Sequence, residues 1–397
     1  MAYLDHAATT PMYPEVAATM AKLLTEPGNP SSLHASGRKA RRQVEEAREQ
    51  VAEALGCRPA EVIFTSGGTE ADNIALKGIA WDQRDKDPKR KRILISAIEH
   101  HAILDPAHWL NDHDGFEVQY IPVTNTGIVT SESLLKTINN DFDSVALVSV
   151  MLANNEVGTI NDIAELVKVT SGKGIRFHTD AVQAPTWLDV NFDQLGVCAM
   201  SVSGHKVGGP HGVGAIIMSR DCTVTPLIHG GGQERDVRSG TLDVPAIVAF
   251  AEALTISVQR RTDQVARISN LRDELVAQVK AAVPDAIYNG DLVNRIANNA
   301  HFTFPGCLGD SLLMLLDAQG VETSVGSACS AGVPQPSHVL LAMGADDDSA
   351  RCTLRFTLGH NSTVQDVADL IAQLPSAVER AKRAGVPKSF SMSGAKS

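Results

Sequence analysis

Short apolar runs rich in β-branched residues alternate with longer amphipathic segments along most of the chain. The sequence predicts strands at six such runs: 61–64, 92–95, 145–150, 176–178, 197–202 and 213–218. Apolar residues at helical spacing predict helices between them, at 38–55, 69–81 and 163–172. Strands that are apolar on both faces and separated by helices indicate an α/β fold with a mostly parallel sheet, covered on both sides.

The pattern changes near residue 246, where a long amphipathic segment predicts one helix over 245–282. Beyond it we expect strands at 299–305 and 352–358 and helices at 311–319 and 364–384. We interpret the chain as a large α/β domain and a smaller α+β domain, with the long helix between them. The predicted bounds are 13–258 for the large domain, 1–12 with 259–386 for the small one, and 387–397 for a disordered polar tail.

Charge and cysteine content exclude several classes of function. The net charge of -11 argues against nonspecific nucleic-acid binding and against adhesion to anionic membranes. No apolar run reaches 18 residues, and the N-terminus lacks the pattern of a secretory signal, so we expect a cytoplasmic protein. The six cysteines are scattered without a C-x-x-C pair, which predicts neither a disulfide framework nor a metal site.

Lys206 follows the apolar run at 197–202 and stands on a turn beside His205, with Gly208 and Gly209 after it. A lysine in such a partly buried place loses its proton more easily and becomes a nucleophile. It is therefore suited to a Schiff base with a carbonyl cofactor. Taken alone, a lysine in a surface loop is the more ordinary interpretation, and the rest of the chain reverses this preference.

The segment 65–70 follows a predicted strand and opens a predicted helix. Gly67 and Gly68 allow a tight turn, and the following amides with the helix dipole form an anion site, which suits a phosphate. An ordinary turn with Ser66 or Thr69 as helix cap is the alternative. The lysine and hydroxyl residue that end an ATP-binding phosphate loop are missing, so an ATP site is excluded.

Asp180 stands at the carboxyl end of the predicted strand at 176–178. Ligands of open α/β sheets bind outside these ends, and a carboxylate there can pair with a pyridinium nitrogen. A helix cap is the alternative role for Asp180. One strand-helix-strand crossover separates Asp180 from Lys206, so both can reach one crevice. A phosphate turn, a pyridinium partner and a Schiff-base lysine are together the contacts that pyridoxal phosphate requires.

With these motifs the sequence resembles the group I (NifS/IscS-type) cysteine desulfurases, fold-type I pyridoxal-phosphate enzymes related to the class-V aminotransferases. The resemblance covers nearly the whole chain. It rests on the motifs YLDHAATTP (3–11), GNPSSLH (28–34), TSGGTE (65–70), EH (99–100), NNEVG (154–158), DAVQ (180–183), SGHK (203–206), RSGT (238–241), GSAC (326–329) and LRF (354–356). It implies a large domain with a mostly parallel seven-stranded sheet that binds the cofactor.

The resemblance implies a role for each residue around pyridoxal 5'-phosphate. Lys206 corresponds to the Schiff-base lysine, Asp180 to the partner of the ring nitrogen and Gln183 to the partner of the ring hydroxyl. His100 corresponds to the imidazole stacked on the ring, where it can also move protons. Asn155 is a further contact at the cofactor. The implied phosphate ligands are Gly68, Thr69, Ser203 and His205.

The resemblance also implies the reaction. Asn155 and Arg355 correspond to the residues that hold the carboxylate of L-cysteine, a task that suits the arginine fork. Cys329 corresponds to the nucleophile that takes the substrate sulfur as a persulfide while L-alanine is released. Small residues around Cys329 predict a flexible loop that can carry the sulfur to an acceptor. The implied acceptors are an iron-sulfur scaffold protein or a tRNA-thiolation enzyme.

Thr241 corresponds to a residue that reaches the phosphate of the other subunit, which implies a homodimer with shared sites. Two positions depart from the family pattern. His6 stands where the family often has Asn or Tyr, and we expect it to alter the substrate entrance. Asp243 stands where Pro is common.

Two other interpretations remain. Another fold-type I enzyme, such as a selenocysteine lyase or an aminotransferase, would need Lys206 and Asp180 but not Cys329. A metal-binding or sulfur-carrier protein is suggested by the 13 histidines. These histidines lack the H-E-x-x-H spacing of a metal site, however, and a sulfur carrier needs no cofactor lysine.

Overall fold

The computed structural model describes residues 1–326 and 335–385, and it contains the strands and helices that the apolar pattern predicts. The strands are β1 (Ala2–Tyr3), β2 (Val62–Thr65), β3 (Arg92–Ser96), β4 (Glu117–Ile121), β5 (Val145–Ser149), β6 (Arg176–Asp180), β7 (Ala199–Ser203), β8 (Gly214–Met218), β9 (Ile287–Tyr288), β10 (Asn299–Thr303), β11 (Val321–Glu322) and β12 (Thr353–Thr357). The helices are α1 (Pro14–Leu23), α2 (Ala35–Leu55), α3 (Gly68–Asn73), α4 (Ile79–Lys86), α5 (His101–His113), α6 (Ser131–Ile138), α7 (Ile163–Thr170), α8 (Phe192–Leu195), α9 (Val244–Ala282), α10 (Gly309–Asp317), α11 (His338–Ala342), α12 (Asp347–Arg351) and α13 (Val364–Ala384).

The large sheet has seven strands in the order β2-β8-β7-β6-β5-β3-β4. Strand β8 is antiparallel to β2 and β7, whereas the other neighbouring pairs are parallel. The predicted mostly parallel seven-stranded sheet is therefore confirmed. Because β2, β3, β5, β6 and β7 all point the same way, the loops that follow them meet at one edge.

Both faces of this sheet are buried except at the edge strand β4, which explains why most of its strands are apolar on both sides. In β3, Ile93 and Ile95 face a layer formed by α3, α4 and α5, whereas Leu94 faces a layer that includes α2, α7 and α9. The helix predicted at 69–81 continues through a π-helical turn, Ile74–Gly78, as far as Lys86. It ends there because Asp87 is extended before a proline.

Helix α9 connects two hydrophobic cores. Phe250 in its first half packs under the large sheet, whereas Ile268 in its second half packs against β10, β12, α10 and α13. The helix begins where the side chain of Asp243 accepts a hydrogen bond from the backbone N–H of Ala246 at 3.1 Å. The division proposed at residue 258 falls inside this continuous helix and stays a prediction.

The N-terminal segment joins the second core. Strand β1 pairs in parallel with β11, and Asp5 forms an isolated bridge with Thr357 of β12. Leu4 is fully buried among the residues of that core. The predicted polar tail at 387–397 lies outside the described residues. Within the part of the chain that the structure describes, no helix is long and apolar enough to cross a membrane.

Candidate active site

A cavity of about 430 Å³ lies at the carboxyl edge of the large sheet, where the loops after β2, β3, β5, β6 and β7 converge. Ligands of such sheets bind at this edge. Its wall brings together the following predicted site residues: Gly68, Thr69, His100, Asn155, Asp180, Gln183, Ser203, His205, Lys206 and Arg355.

Two predicted site residues are not in this wall. Thr241 is exposed and stands just ahead of helix α9, outside the cavity of its own chain. Cys329 lies outside the described residues. The described chain leads to it through Ser324 and Gly326, and both of these residues line the cavity.

Lys206 reaches the cavity from a short turn, Gly204–Lys206, that follows β7 directly. Its Nζ donates hydrogen bonds to the backbone oxygens of Ala7 and Ala8, the latter at 2.7 Å. Loss of hydration, and next the positive charge of Arg355, lower the pKa of Lys206 to about 8. About a tenth of this amine is therefore unprotonated at pH 7, far more than for an ordinary lysine, and the unprotonated form is the one that a nucleophile or base requires.

Asp180 ends β6 and is 6% exposed. Its Oδ1 accepts a hydrogen bond from the backbone N–H of Val182 at 2.8 Å. Burial raises the pKa of Asp180 to about 6, against the opposing effects of that hydrogen bond and of Lys206. Asp180 thus remains ionised at neutral pH and can pair with a protonated ring nitrogen.

Asp72 in α3 lies behind Asp180 and is 1% exposed. Burial, and then the charge of Asp180, raise the pKa of Asp72 well above its usual range. Its Oδ1 has no hydrogen-bond partner and lies 3.7 Å from Nε2 of His178. Burial lowers the pKa of His178 to about 3, so this ring is neutral and hydrogen-bonds Ser149 and Ser201. Burial and the neighbouring Asp180 therefore favour the protonated form of Asp72.

His100 caps the start of α5, where its Nδ1 accepts a hydrogen bond from the N–H of Ala102 at 3.1 Å. Loss of hydration, and next the charge of Lys206, lower the pKa of His100 to about 4, so the ring is neutral at neutral pH. Glu99 before it is fully buried and accepts from the N–H of Met151 at 2.8 Å. That bond joins the loops after β3 and β5.

The turn after β2 fits a phosphate. Gly67 has a φ of 149°, and a Cβ on Gly68 would lie 2.7 Å from Val182, so a side chain is excluded there. The turn is braced by Glu70, which accepts from the N–H of Ser66 at 2.7 Å and pairs with Arg238 at 2.8 Å. The first amides of α3 have no partners within the helix and are therefore available to an anion.

His205 lines the cavity close to this turn, and its Nδ1 lies 3.3 Å from Oγ1 of Thr9. With the phosphate turn, Asp180 and Lys206, it completes a set of side chains that fits pyridoxal phosphate. Loss of hydration, and next the charge of Lys206, lower the pKa of His205 to about 4. The neutral ring can contact a phosphate by donating one hydrogen bond.

Arg355 comes from the middle of β12 and is 4% exposed. Its Nη1 donates to the backbone oxygen of Asn155 at 2.8 Å. The Asn155 loop is shaped by Asn154, whose Oδ1 accepts from the N–H groups of Glu156 and Val157 at 2.9 Å each. The two residues predicted to hold the substrate carboxylate are therefore in direct contact.

The wall also contains residues to which the sequence assigned no role: Ala7, Ala8, Asp72, Glu156, Ser324 and His338. The sequence could have indicated a role for Asp72, because an acidic residue inside an apolar helical stretch has to lie against a polar partner. The sequence around His338 and Ser324 contains no such indication, since only tertiary contacts bring these two residues to the cavity wall. His6 does not line the cavity. It is buried, and its Nδ1 lies 2.7 Å from Oγ1 of Thr10.

The chain matches known proteins over nearly its whole length. The model of the aminotransferase class-V family matches residues 2–370. An IscS-like cysteine desulfurase of Mycobacterium tuberculosis is 55% identical, over 97% of this chain and 98% of that protein. The cysteine desulfurase IscS of Dictyoglomus turgidum is 43% identical, over 95% of this chain and 94% of that protein.

Solved structures of similar proteins agree with this family assignment. A NifS-like protein superposes with a TM-score of 0.87 at 34% identity, over 96% of this chain and all of that one. SspA in complex with cysteine superposes with a TM-score of 0.78 at 30% identity, over 91% of this chain and all of that one. The chain therefore belongs to the aminotransferase class-V family, and within it to the pyridoxal-phosphate-dependent cysteine desulfurases of the NifS/IscS type.

Proposed function

We propose that this protein is a cysteine desulfurase that converts L-cysteine to L-alanine and passes the sulfur to an acceptor as a persulfide. The observation that carries the proposal is the cavity, whose wall brings Lys206 together with Asp180 and Arg355. Relatives named as cysteine desulfurases, and a similar structure that holds cysteine, support the choice of substrate.

Pyridoxal 5'-phosphate, when bound, supplies an electron-withdrawing ring and an aldehyde. Lys206 would hold its aldehyde carbon, Asp180 would keep the ring nitrogen protonated, and Gln183 would bind the ring hydroxyl. His100 and Asn155 would contact the ring. Gly68, Thr69, Ser203 and His205, with the first amides of α3, would hold the phosphate.

The substrate side positions the amino acid. Arg355 holds the carboxylate of L-cysteine through its guanidinium, and Asn155 beside it completes the contact. This fixes the α-carbon toward Lys206, whose unprotonated amine accepts the α-proton. The neutral His100, which lines the same cavity, supplies and takes back protons.

Cys329 performs the sulfur transfer. Its thiolate attacks the sulfur of the substrate, a sulfur–sulfur bond forms, and the carbon–sulfur bond breaks. The electron pair of that bond stays with the carbon, which is protonated to give L-alanine. The substrate sulfur remains on Cys329 as a persulfide, so atoms and electrons balance without a further oxidant.

The same proposal covers the oligomeric state, the sulfur acceptor and the cellular location of the protein. The protein acts as a homodimer in which Thr241 of each chain reaches the phosphate in the other, consistent with its exposed place outside its own cavity. The acceptor of the sulfur is an iron-sulfur scaffold protein or a tRNA-thiolation enzyme. The protein works in the cytoplasm, on proteins and L-cysteine rather than on nucleic acid or a membrane.

The test is formation of alanine and sulfide from L-cysteine in the presence of a thiol reductant. We expect both products from the wild type and neither from Cys329→Ala, which keeps the cofactor absorbance. Cys57→Ala is the matched control, because Cys57 is partly buried and its thiol pKa is raised to about 12, which makes it unreactive. Unimpaired turnover by Cys329→Ala would exclude Cys329 as the nucleophile.

A further inference from the structure

Arg355 is already paired with a carboxylate of its own chain. Its Nη2 donates to Oδ1 of Asp5 at 2.7 Å, and its Nη1 donates to the backbone of Asn155. Its Nε is buried and has no hydrogen-bond partner. A guanidinium has five N–H donors, so Asp5 and Asn155 leave part of the fork available to a second carboxylate.

Asp5 reaches Arg355 from outside the cavity. Ala7 and Ala8 line the wall, but Asp5 does not, and its side chain is 22% exposed. Its backbone is fixed, since it bridges Thr357 and its oxygen accepts from the hydroxyl of Tyr3 at 3.1 Å. Asp5 therefore acts on the site through the guanidinium of Arg355.

The pair also affects Lys206. The positive charge of Arg355 lowers the pKa of Lys206, and the negative charge of Asp5 opposes that effect. On β10, His301 stands directly opposite Arg355 and is neutral, because burial lowers its pKa to about 3. Among the described residues, Asp180, His100, His205 and Tyr3 also lie near Lys206 or Arg355, and the cavity wall further contains Asp72, His101, Glu156 and His338.

We propose that Asp5 is a positioning residue that orients Arg355 and balances its charge, and so sets how tightly the site holds the carboxylate of an amino acid. The proposal rests on the proposed function, which assigns that carboxylate to Arg355. Without the charge of Asp5, Arg355 would present a full positive charge to every small carboxylate, product as well as substrate. Asp5 thus limits the affinity of Arg355 for the carboxylates of substrate and product, so that both can still leave the site during turnover.

Asp5→Asn keeps a hydrogen-bond acceptor at the same place and removes the charge. We expect the KM for L-cysteine to fall by roughly threefold to tenfold. We also expect the apparent pKa of the cofactor absorbance, which reports the protonation of Lys206, to fall by about half a unit to one unit. Asp189→Asn is the matched control: it breaks an exposed ion pair with Arg261 and should change neither quantity.

Asp5→Glu keeps the charge but moves the carboxylate by one methylene group. Here the apparent pKa should stay within about 0.2 units of the wild type, a small fraction of the spread seen in proteins. The KM should rise, because Arg355 is held in the wrong place.

An unchanged KM together with an unchanged absorbance pKa in Asp5→Asn would overturn the proposal. A raised KM with an unchanged absorbance pKa would also overturn it, because that result indicates a merely structural role for Asp5. If Asp5→Asn fails to fold in thermal unfolding, Asp5→Glu decides, and an unchanged KM there overturns the proposal. If the wild type forms no alanine, the proposed function fails. The absorbance titration needs no turnover and still tests the effect of Asp5 on Lys206.

Discussion

The two sides of the cavity are built in different ways. On the cofactor side, Asp180 and Lys206 follow the ends of the parallel neighbours β6 and β7, so the sheet topology alone brings them to one edge. On the substrate side, Arg355 lies in the middle of β12 and is held by Asn155 and Asp5, which are 200 and 350 residues away in sequence. The cofactor side is a local consequence of the fold, whereas the substrate side depends on long-range contacts.

The charges of the two sides differ as well. The cofactor side buries the carboxyl groups of Asp72, Glu99 and Asp180, and burial raises the pKa of each. The substrate side buries the guanidinium of Arg355 beside the neutral His301. A protonated ring nitrogen is therefore favoured on one side and a carboxylate on the other. Under the proposed function, this division would orient an amino acid across the cavity.

Lys206→Ala has the largest expected effect, because Lys206 is the one lysine in the described wall of the cavity. Turnover should fall by at least about a thousandfold, since both the cofactor attachment and the base are lost. Alanine formation measures the loss. Mass spectrometry after borohydride reduction should find the cofactor attached to the wild type only. Turnover within tenfold of the wild type would contradict the assignment of Lys206.

Arg355→Lys separates the two sides, since it keeps the charge and removes the fork. We expect kcat/KM for L-cysteine to fall by about a hundredfold while the cofactor absorbance stays unchanged. Arg272→Lys, at an arginine that bonds the backbone of Ile296 in the second core, is the control. A loss of cofactor absorbance in Arg355→Lys would mean that the two sides are not separate.

The pH profile tests the cofactor side with no substitution. Lys206 must be unprotonated to accept a proton, and its pKa is lowered from 10.5 to about 8. The turnover number should therefore rise as the pH rises toward 8 and level off above it. It should fall more steeply below pH 6, where Asp180 takes up a proton. A flat profile between pH 6 and 9 would exclude Lys206 as the base.

Asp243→Ala has the smallest expected effect and concerns the helix that both sides share. Loss of the bond from Asp243 to the N–H of Ala246 should cost about 1 kcal/mol of unfolding free energy, measured by urea denaturation. Asp162→Ala, which removes the same cap from α7, is the comparison. A much larger loss for Asp243→Ala would indicate that α9 makes the two cores unfold as one unit.

The sequence predicts the cofactor side well because its residues sit in short motifs at strand ends. The apolar runs locate β2, β3, β5, β6 and β7, and each leads to a residue of the cavity wall. Strand β4 was not predicted, since its sequence, EVQYI, is half polar and it lies at the exposed edge of the sheet. The domain division and the individual roles of the site residues stay predictions.

The substrate side is less visible in the sequence. Arg355 is marked by its motif, but nothing local shows that Asp5 pairs with it. Lys206 and Gln183 both donate to the backbone oxygen of Ala7, the latter at 2.9 Å, and no side-chain pattern encodes a backbone acceptor. His6 was expected near the entrance, yet it packs beneath Gly359, away from the cavity wall. Such contacts depend on how distant segments dock.

The docking of the N-terminal segment sets the order in which the molecule is completed. Ala7 donates its N–H to Oγ1 of Thr357, and β1 pairs with β11, so the segment 2–7 can dock only after residues more than 300 positions later have been synthesised. Closing such a loop is slow, because its entropy is lost before the contacts form. On the ribosome, the strands of the large sheet are synthesised before this docking. At that stage Lys206 lacks its hydrogen-bond acceptors in Ala7 and Ala8, and Arg355 lacks its partner Asp5. The cavity wall is therefore complete only once the segment 2–8 has docked on β11 and β12.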